Sequence, residues 1–192
     1  MINAELSHCK SVKEFYKDIR AAQEEAHGEY YCEMHDKMKN LLENECDTYL
    51  ELGTHQGGTA ANAMLCKPKR IQLVDIDMSR YKKFLEKLAV PFCEKNNIEL
   101  IVKETDSTSL KSIGKADLML IDSVHHPNHM KTEFMTHQSN INKYIVAHDT
   151  SVVNGKQNSI LFETLQFLCK SYPWEIVERG MRNVGYTILK RK

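Results

Sequence analysis

Five short apolar runs, each separated from the next by helix-forming residues, dominate the chain from position 46 onward. They are DTYLEL (47–52), RIQLVDI (70–76), IELIVKET (98–105), ADLMLID (116–122) and KYIVAHD (143–149). Helices are predicted between them over 58–67, 79–96 and 128–141, with a shorter one over 107–112, and another follows over 158–172. Regular β–α alternation of doubly apolar runs implies a parallel sheet covered by helices on both faces. The last two runs, WEIVER (174–179) and VGYTILK (184–190), leave only turn-length chain over 180–183. They are therefore expected as an antiparallel hairpin at the sheet edge. The fold class read from this pattern is α/β and Rossmann-like. Its seven-stranded sheet is mostly parallel, with the last strand alone antiparallel. Residues 1–45 show no strand pattern and read as an N-terminal helical extension interrupted at Gly28, which leaves 46–192 as the main domain.

A chain of 192 residues suits one domain with an added flanking element. Lys plus Arg equals Asp plus Glu at 26 each, so no net charge argues for a nucleic-acid or membrane-surface partner. Six cysteines without a CxxC pair read as reduced thiols in a cytosol-like compartment. The start, MINAELSHCK, lacks the layout of a secretion signal, and no apolar run reaches membrane-span length. A soluble, cytoplasmic protein is the expectation, with homo-oligomerisation left open.

Only eight glycines occur in the chain, yet three fall within ELGTHQGGT, residues 51–59, directly after the first apolar run. At a strand-to-helix junction, glycines let backbone N–H groups and a helix N-terminus approach a ligand. The spacing G-x-x-x-G-G is neither the dinucleotide fingerprint nor a phosphate loop. Glu51 at the strand end is placed to face a ligand ammonium. Asp75 ends the next run, 22 residues after Gly53, about where an acid bonds ribose hydroxyls, with Asp77 as the competing choice. Asp122 and Asp149, the latter preceded by His148, end the fourth and fifth runs. Oxygen ligands converging there suit a hard divalent cation such as Mg²⁺, and the competing reading is that they cap the following helices.

ELGTHQGGT, LVDID, ETDS, LMLIDSVHH and IVAHDT together, in this order and spacing, resemble class I S-adenosylmethionine-dependent methyltransferases. More narrowly, residues 46–190 resemble the cephalosporin hydroxylase-like branch and the related macrolide-sugar O-methyltransferases. The resemblance implies that Glu51, Gly53, Thr54, Gly57, Gly58 and Thr59 surround the methionine portion of the cofactor. Asp75 would hold the ribose, and Asp106 and Ser107 would lie beside the adenine unless they merely cap a helix. It also implies a divalent metal, Mg or Mn, held by Asp122, His148 and Asp149. His148 stands where that branch often has a carboxylate, and imidazole suits Mn²⁺, Fe²⁺ or Zn²⁺ better than Mg²⁺.

His125, three positions after Asp122, occupies the place of the proton-accepting lysine of catechol-type enzymes, and the cephalosporin hydroxylase-like branch carries histidine there. Imidazole accepts a proton near neutral pH without large tuning. His125 and Asp122 are thus the catalytic candidates. HHPNH offers His125 and His129 four apart, but Pro127 is expected to begin a helix, which breaks the face a zinc pair needs. Phe15 is expected in the core, while the resemblance implies that the N-terminal helices cover an acceptor pocket or join a subunit interface, either of which would suit Tyr16, Tyr30 and Tyr31.

The activity implied is O-methylation of a small hydroxylated acceptor, a sugar or a phenol. An NAD-dependent oxidoreductase is disfavoured by the glycine spacing and the lack of a Tyr-x-x-x-Lys pair. A metal-dependent hydroxylase using Asp122, His125 and His148 stays open, as does a non-catalytic S-adenosylmethionine-binding module.

Overall fold

The computed structural model describes residues 4–110, 113–153, 156–157 and 159–192. Two helices come first, α1 (Val12–His27) and α2 (Glu33–Asn44). Ser11 starts α1 by accepting the Glu14 N–H at 3.1 Å, and Gly28, at φ 101°, ends it by donating its N–H to the Glu24 carbonyl. Arg20 of α1 grips Asp36 of α2 through two bonds of 2.6 and 2.8 Å, which fixes the helix pair as a unit.

The alternation then runs β1 (Thr48–Leu52), α3 (Gly58–Leu65), β2 (Arg70–Asp75), α4 (Ser79–Phe84), α5 (Glu86–Lys95), β3 (Glu99–Glu104) and β4 (Ala116–Ile121). It continues with α6 (Pro127–His137), β5 (Ile141–His148), a two-residue-strand hairpin β6 (Val152–Val153) and β7 (Lys156–Gln157), α7 (Ile160–Ser171), β8 (Trp174–Gly180) and β9 (Tyr186–Arg191). The main sheet has seven strands in the order β3-β2-β1-β4-β5-β9-β8. All neighbours from β3 to β5 pair in parallel, and β9 runs antiparallel to both β5 and β8. The reversed last strand expected from the sequence is therefore present.

Alternation along β1 shows how the sheet divides two cores. Leu50 and Leu52 point toward α6 and α7, while Tyr49 joins the core under α1 to α5. Strand order reverses between β2 and β4 around β1, and a crevice opens there at the carboxyl ends of the strands. No helix among the described residues is long and apolar enough to cross a membrane.

Three expectations shift. The helix predicted over 79–96 divides at Leu85, whose side chain seats where a Cβ on Gly57 would lie only 2.5 Å away. The one predicted over 128–141 is α-helical to His137 and finishes as a 3₁₀ turn over Gln138–Asn140, where Trp174 Nε1 donates to Gln138 Oε1 at 3.1 Å and Arg191 takes the Gln138 carbonyl. Residues 107–110 form turn rather than helix, since Asp106 Oδ1 accepts both Thr108 N and Thr108 Oγ1. The rest of that stretch, 111–112, lies outside the described residues, as do 1–3 and position 158.

Candidate active site

The glycines of the β1–α3 loop answer first to the protein's own backbone. Gly53 has φ 93°, and a Cβ there would lie 2.2 Å from the Asp122 carbonyl oxygen at the end of β4. Gly57 takes a left-handed conformation at the N-cap of α3. Gly58 faces Ile19 and Gln23 of α1, 3.4 Å and 3.6 Å from a built Cβ. Asp75 then fastens the loop to β2, since its Oδ2 accepts the N–H groups of Thr54 and His55 at 2.7 and 2.8 Å. Its other oxygen accepts the Asp77 N–H at 3.0 Å, and Asp77 in turn accepts the Ser79 N–H at the start of α4.

Two clefts flank this loop and share Gly53, His55, Asp122 and Ser123 as their common wall. The first is bounded by Asp75, Asp106 and Ser107, with Ile76 and Val124 as apolar walls. Ile76 is 74% exposed and Val124 54%. The second is bounded by Thr54, Gly58 and Thr59 on one side and by His27, Tyr31 and His35 from the N-terminal helices on the other. Glu51 and Gly57 stand behind these walls and line neither cleft.

Glu51 is fully buried, and its Oε2 accepts the Tyr49 hydroxyl at 2.5 Å while its Oε1 has no partner. Burial raises its pKa to about 8, against the hydrogen bonds that favour the carboxylate. A buried carboxylate with one oxygen unspent beside Thr54 and Thr59 is a polar group in want of a donor.

At the floor of the second cleft four side chains form one cluster. His148 Nδ1 lies 3.0 Å from Asp122 Oδ1 and 3.5 Å from Asp149 Oδ2, and His125 Nε2 lies 2.6 Å from Asp149 Oδ2. Asp122 and Asp149 together hold His125 protonated, its pKa pushed up to about 10. Asp122, at 3.7 Å, and Asp149, at 2.6 Å, are both its ion-pair partners. Burial opposes the charges of His148 and Asp122, but their mutual attraction outweighs it, raising the one and lowering the other. Asp149 sits at φ 56°, in the left-handed region that aspartate and asparagine adopt more readily than other side chains.

Ligand atoms of Asp122, His148 and Asp149 converge within 4.8 Å of one another, so the three residues fit a divalent cation by geometry and by donor type. The convergent set holds one histidine and two carboxylates, with His125 beside it as the ion-pair partner of Asp149. Pro127 begins α6, with His126 as its N-cap, which separates His125 from His129 as the sequence predicts.

No family model matches the chain, and no curated protein matches its sequence. Solved structures do. An O-methyltransferase from Bacillus cereus in complex with S-adenosylhomocysteine superposes with a TM-score of 0.60 at 13% identity, covering 100% of this chain and 93% of that one. A provisionally assigned caffeoyl-CoA O-methyltransferase from Staphylococcus aureus gives 0.68 at 13% identity over 92% of each chain. The magnesium protoporphyrin IX methyltransferase of Synechocystis, with S-adenosylmethionine bound, gives 0.65 at 11% identity over 100% of this chain and 87% of that one. The fold is that of class I S-adenosylmethionine-dependent methyltransferases.

Within that methyltransferase fold, several lining residues escaped the sequence reading. Ile19, Gln23 and His27 continue the buried face of Val12 and Phe15 at four-residue steps, so a polar end to an apolar stripe was the available signal. Tyr31 sets its ring edge-on to His148 at 5.8 Å, whereas Tyr30 is exposed beneath Arg182 and Tyr16 bonds Arg20. Glu133 is a carboxylate on the buried face of α6 between Met130, Phe134 and His137.

Proposed function

We propose that this chain is an S-adenosylmethionine-dependent O-methyltransferase acting on a small hydroxylated acceptor. The observation that carries the reading is the junction of two clefts at Asp122, one edged by acids and apolar walls, the other by the His125 cluster. In the first, Asp75, Ile76 and Val124 suit a ribose and a flat base, with Asp106 and Ser107 at its far end. Thr54, Thr59 and the buried Glu51 suit the amino-acid end of the cofactor, where the unspent Glu51 oxygen would accept from an ammonium.

The reaction moves a methyl from sulfonium sulfur to an acceptor oxygen, leaving S-adenosylhomocysteine and a proton. His125 takes that proton in its neutral form, so acceptor binding must part it from Asp149. Asp122, His148 and Asp149 would hold a divalent cation, which would make the acceptor hydroxyl more acidic. Most of the rate derives from holding oxygen and methyl in line. Within the acceptor cleft, His27 Nε2 and His35 Nδ1 are buried without partners. Unspent polar atoms around one opening favour a sugar over a phenol, since a phenol brings one hydroxyl and a sugar many.

Screening sugars and phenols for S-adenosylhomocysteine release tests this. Turnover of a hydroxylated acceptor, lost by about 10²-fold or more in His125→Ala with cofactor affinity intact, supports it. Cofactor binding without turnover of any acceptor would favour a non-catalytic module, and binding of NAD instead would end the reading.

A further inference from the structure

A buried acid behind the end of the first cleft that Ser107 and Ser123 line does nothing in the reaction just described. Glu133 of α6 is fully buried, and its Oε1 accepts two hydroxyls at once, Ser107 Oγ at 2.5 Å and Ser123 Oγ at 2.6 Å. Its Oε2 has no hydrogen-bond partner, and His129 Nε2 lies 3.3 Å from Oε1 without a hydrogen-bonding geometry. His137 closes the same layer by bonding the Ser107 carbonyl at 2.7 Å. An isolated structural carboxylate in an apolar helix face is costly. Hydrophobic Met130 and Phe134 beside it show that packing alone did not require an acid there.

What Glu133 achieves is directional. A serine hydroxyl has one proton and two lone pairs, and either can face a ligand when the hydroxyl is free to turn. With both protons committed to Glu133, Ser107 and Ser123 keep only acceptor capacity toward the cleft they line. Asp106, at the same end, adds a carboxylate. We infer that Glu133 is a positioning residue that makes this end of the cleft acceptor-only, so that it admits a purine bearing an exocyclic amine and rejects one bearing a carbonyl at that position. A proton taken up by Glu133, which burial favours, leaves this unchanged when it sits on the unpartnered Oε2, because Oε1 then still accepts both hydroxyls.

This inference rests on the proposed cofactor site, and the test separates the two. Calorimetry compares S-adenosylhomocysteine with its deaminated analogue, S-inosylhomocysteine, on the full chain. The wild type is expected to prefer the adenosyl compound by about 10²-fold, as expected where a mismatched polar group is left unpaired. Glu133→Gln keeps a carbonyl acceptor and should retain the preference. Glu133→Met frees both hydroxyls to donate and should shrink it to within about tenfold, while a merely structural role would weaken both ligands alike. Ser107→Ala with Ser123→Ala gives the same readout should Glu133→Met not fold, and is expected to shrink the preference likewise. An undiminished preference in these variants, or equal binding of both ligands by the wild type, overturns the inference alone. Failure of the wild type to bind either ligand overturns the cofactor site as well.

Discussion

Tyr49 and Glu51, two residues apart on β1, share a 2.5 Å hydrogen bond in a region with no solvent contact. The bond does not repay the burial of the acid, whose pKa rises from 4.5 to about 8. An acid raised in the folded state keeps its proton where the unfolded chain has lost it, so this contribution is full below about pH 4.5 and is lost as pH rises through 8. Glu51→Gln should therefore stabilise the protein above pH 8, by up to about 4 kcal/mol, and the gain should vanish at pH 4. The same change should weaken S-adenosylmethionine binding about tenfold or more, because the ammonium loses its charged acceptor. Urea denaturation at two pH values and calorimetry check both halves; unchanged affinity would remove Glu51 from the cofactor site.

His35 behaves in the opposite sense. Burial lowers its pKa to about 4, so the folded state holds it neutral while the unfolded chain protonates near 6.5. Stability from this group is complete above about 6.5 and is lost as pH falls through 4. Its full size is about 3 kcal/mol. His35→Gln should flatten the stability profile between those limits, and a profile as steep as the wild type's would assign the acid sensitivity elsewhere.

Gly53→Ala should cost about 3 kcal/mol or more, because its φ of 93° disfavours a side chain and the new Cβ would meet the Asp122 carbonyl at 2.2 Å. Gly114→Ala serves as the control, since its Cβ would find only side-chain ends, Arg70 at 3.4 Å and Gln72 at 3.6 Å. Equal stability of the two variants would contradict the close approach.

Mn²⁺ should raise the melting temperature, by an amount equivalent to about 2.7 kcal/mol at a hundredfold excess over its dissociation constant. Asp149→Asn keeps a residue tolerant of φ 56° while removing the charge, and should abolish most of that shift. A thermal shift of equal size in both proteins would place the cation elsewhere.

Topology was the legible part of this sequence, because the central strands β1, β2, β4 and β5 are buried enough to show as apolar runs and the helices fit the spaces between runs. Helix ends were not, since Gln138 and Leu85 take their conformations from partners distant in the chain. At the site, Asp122, His125, His148 and Asp149 could be named because strand ends fall where apolar runs stop, and the structure brings all four into one cluster. The loop glycines were read as room for a ligand. Gly53 instead makes room for β4, a contact across the sheet that no local pattern announces. Glu133 escaped notice because its meaning depends on two serines from other elements.

The packing of Gly53 against the Asp122 carbonyl joins the two openings mechanically. On the proposed reading, this one peptide unit would be the wall shared by donor and acceptor, so a displacement on either side would be felt on the other. Substitutions that retune which alcohol is accepted at Asp122 should thus register as altered grip on the methyl donor, and selecting for one trait in the laboratory will drag the other along.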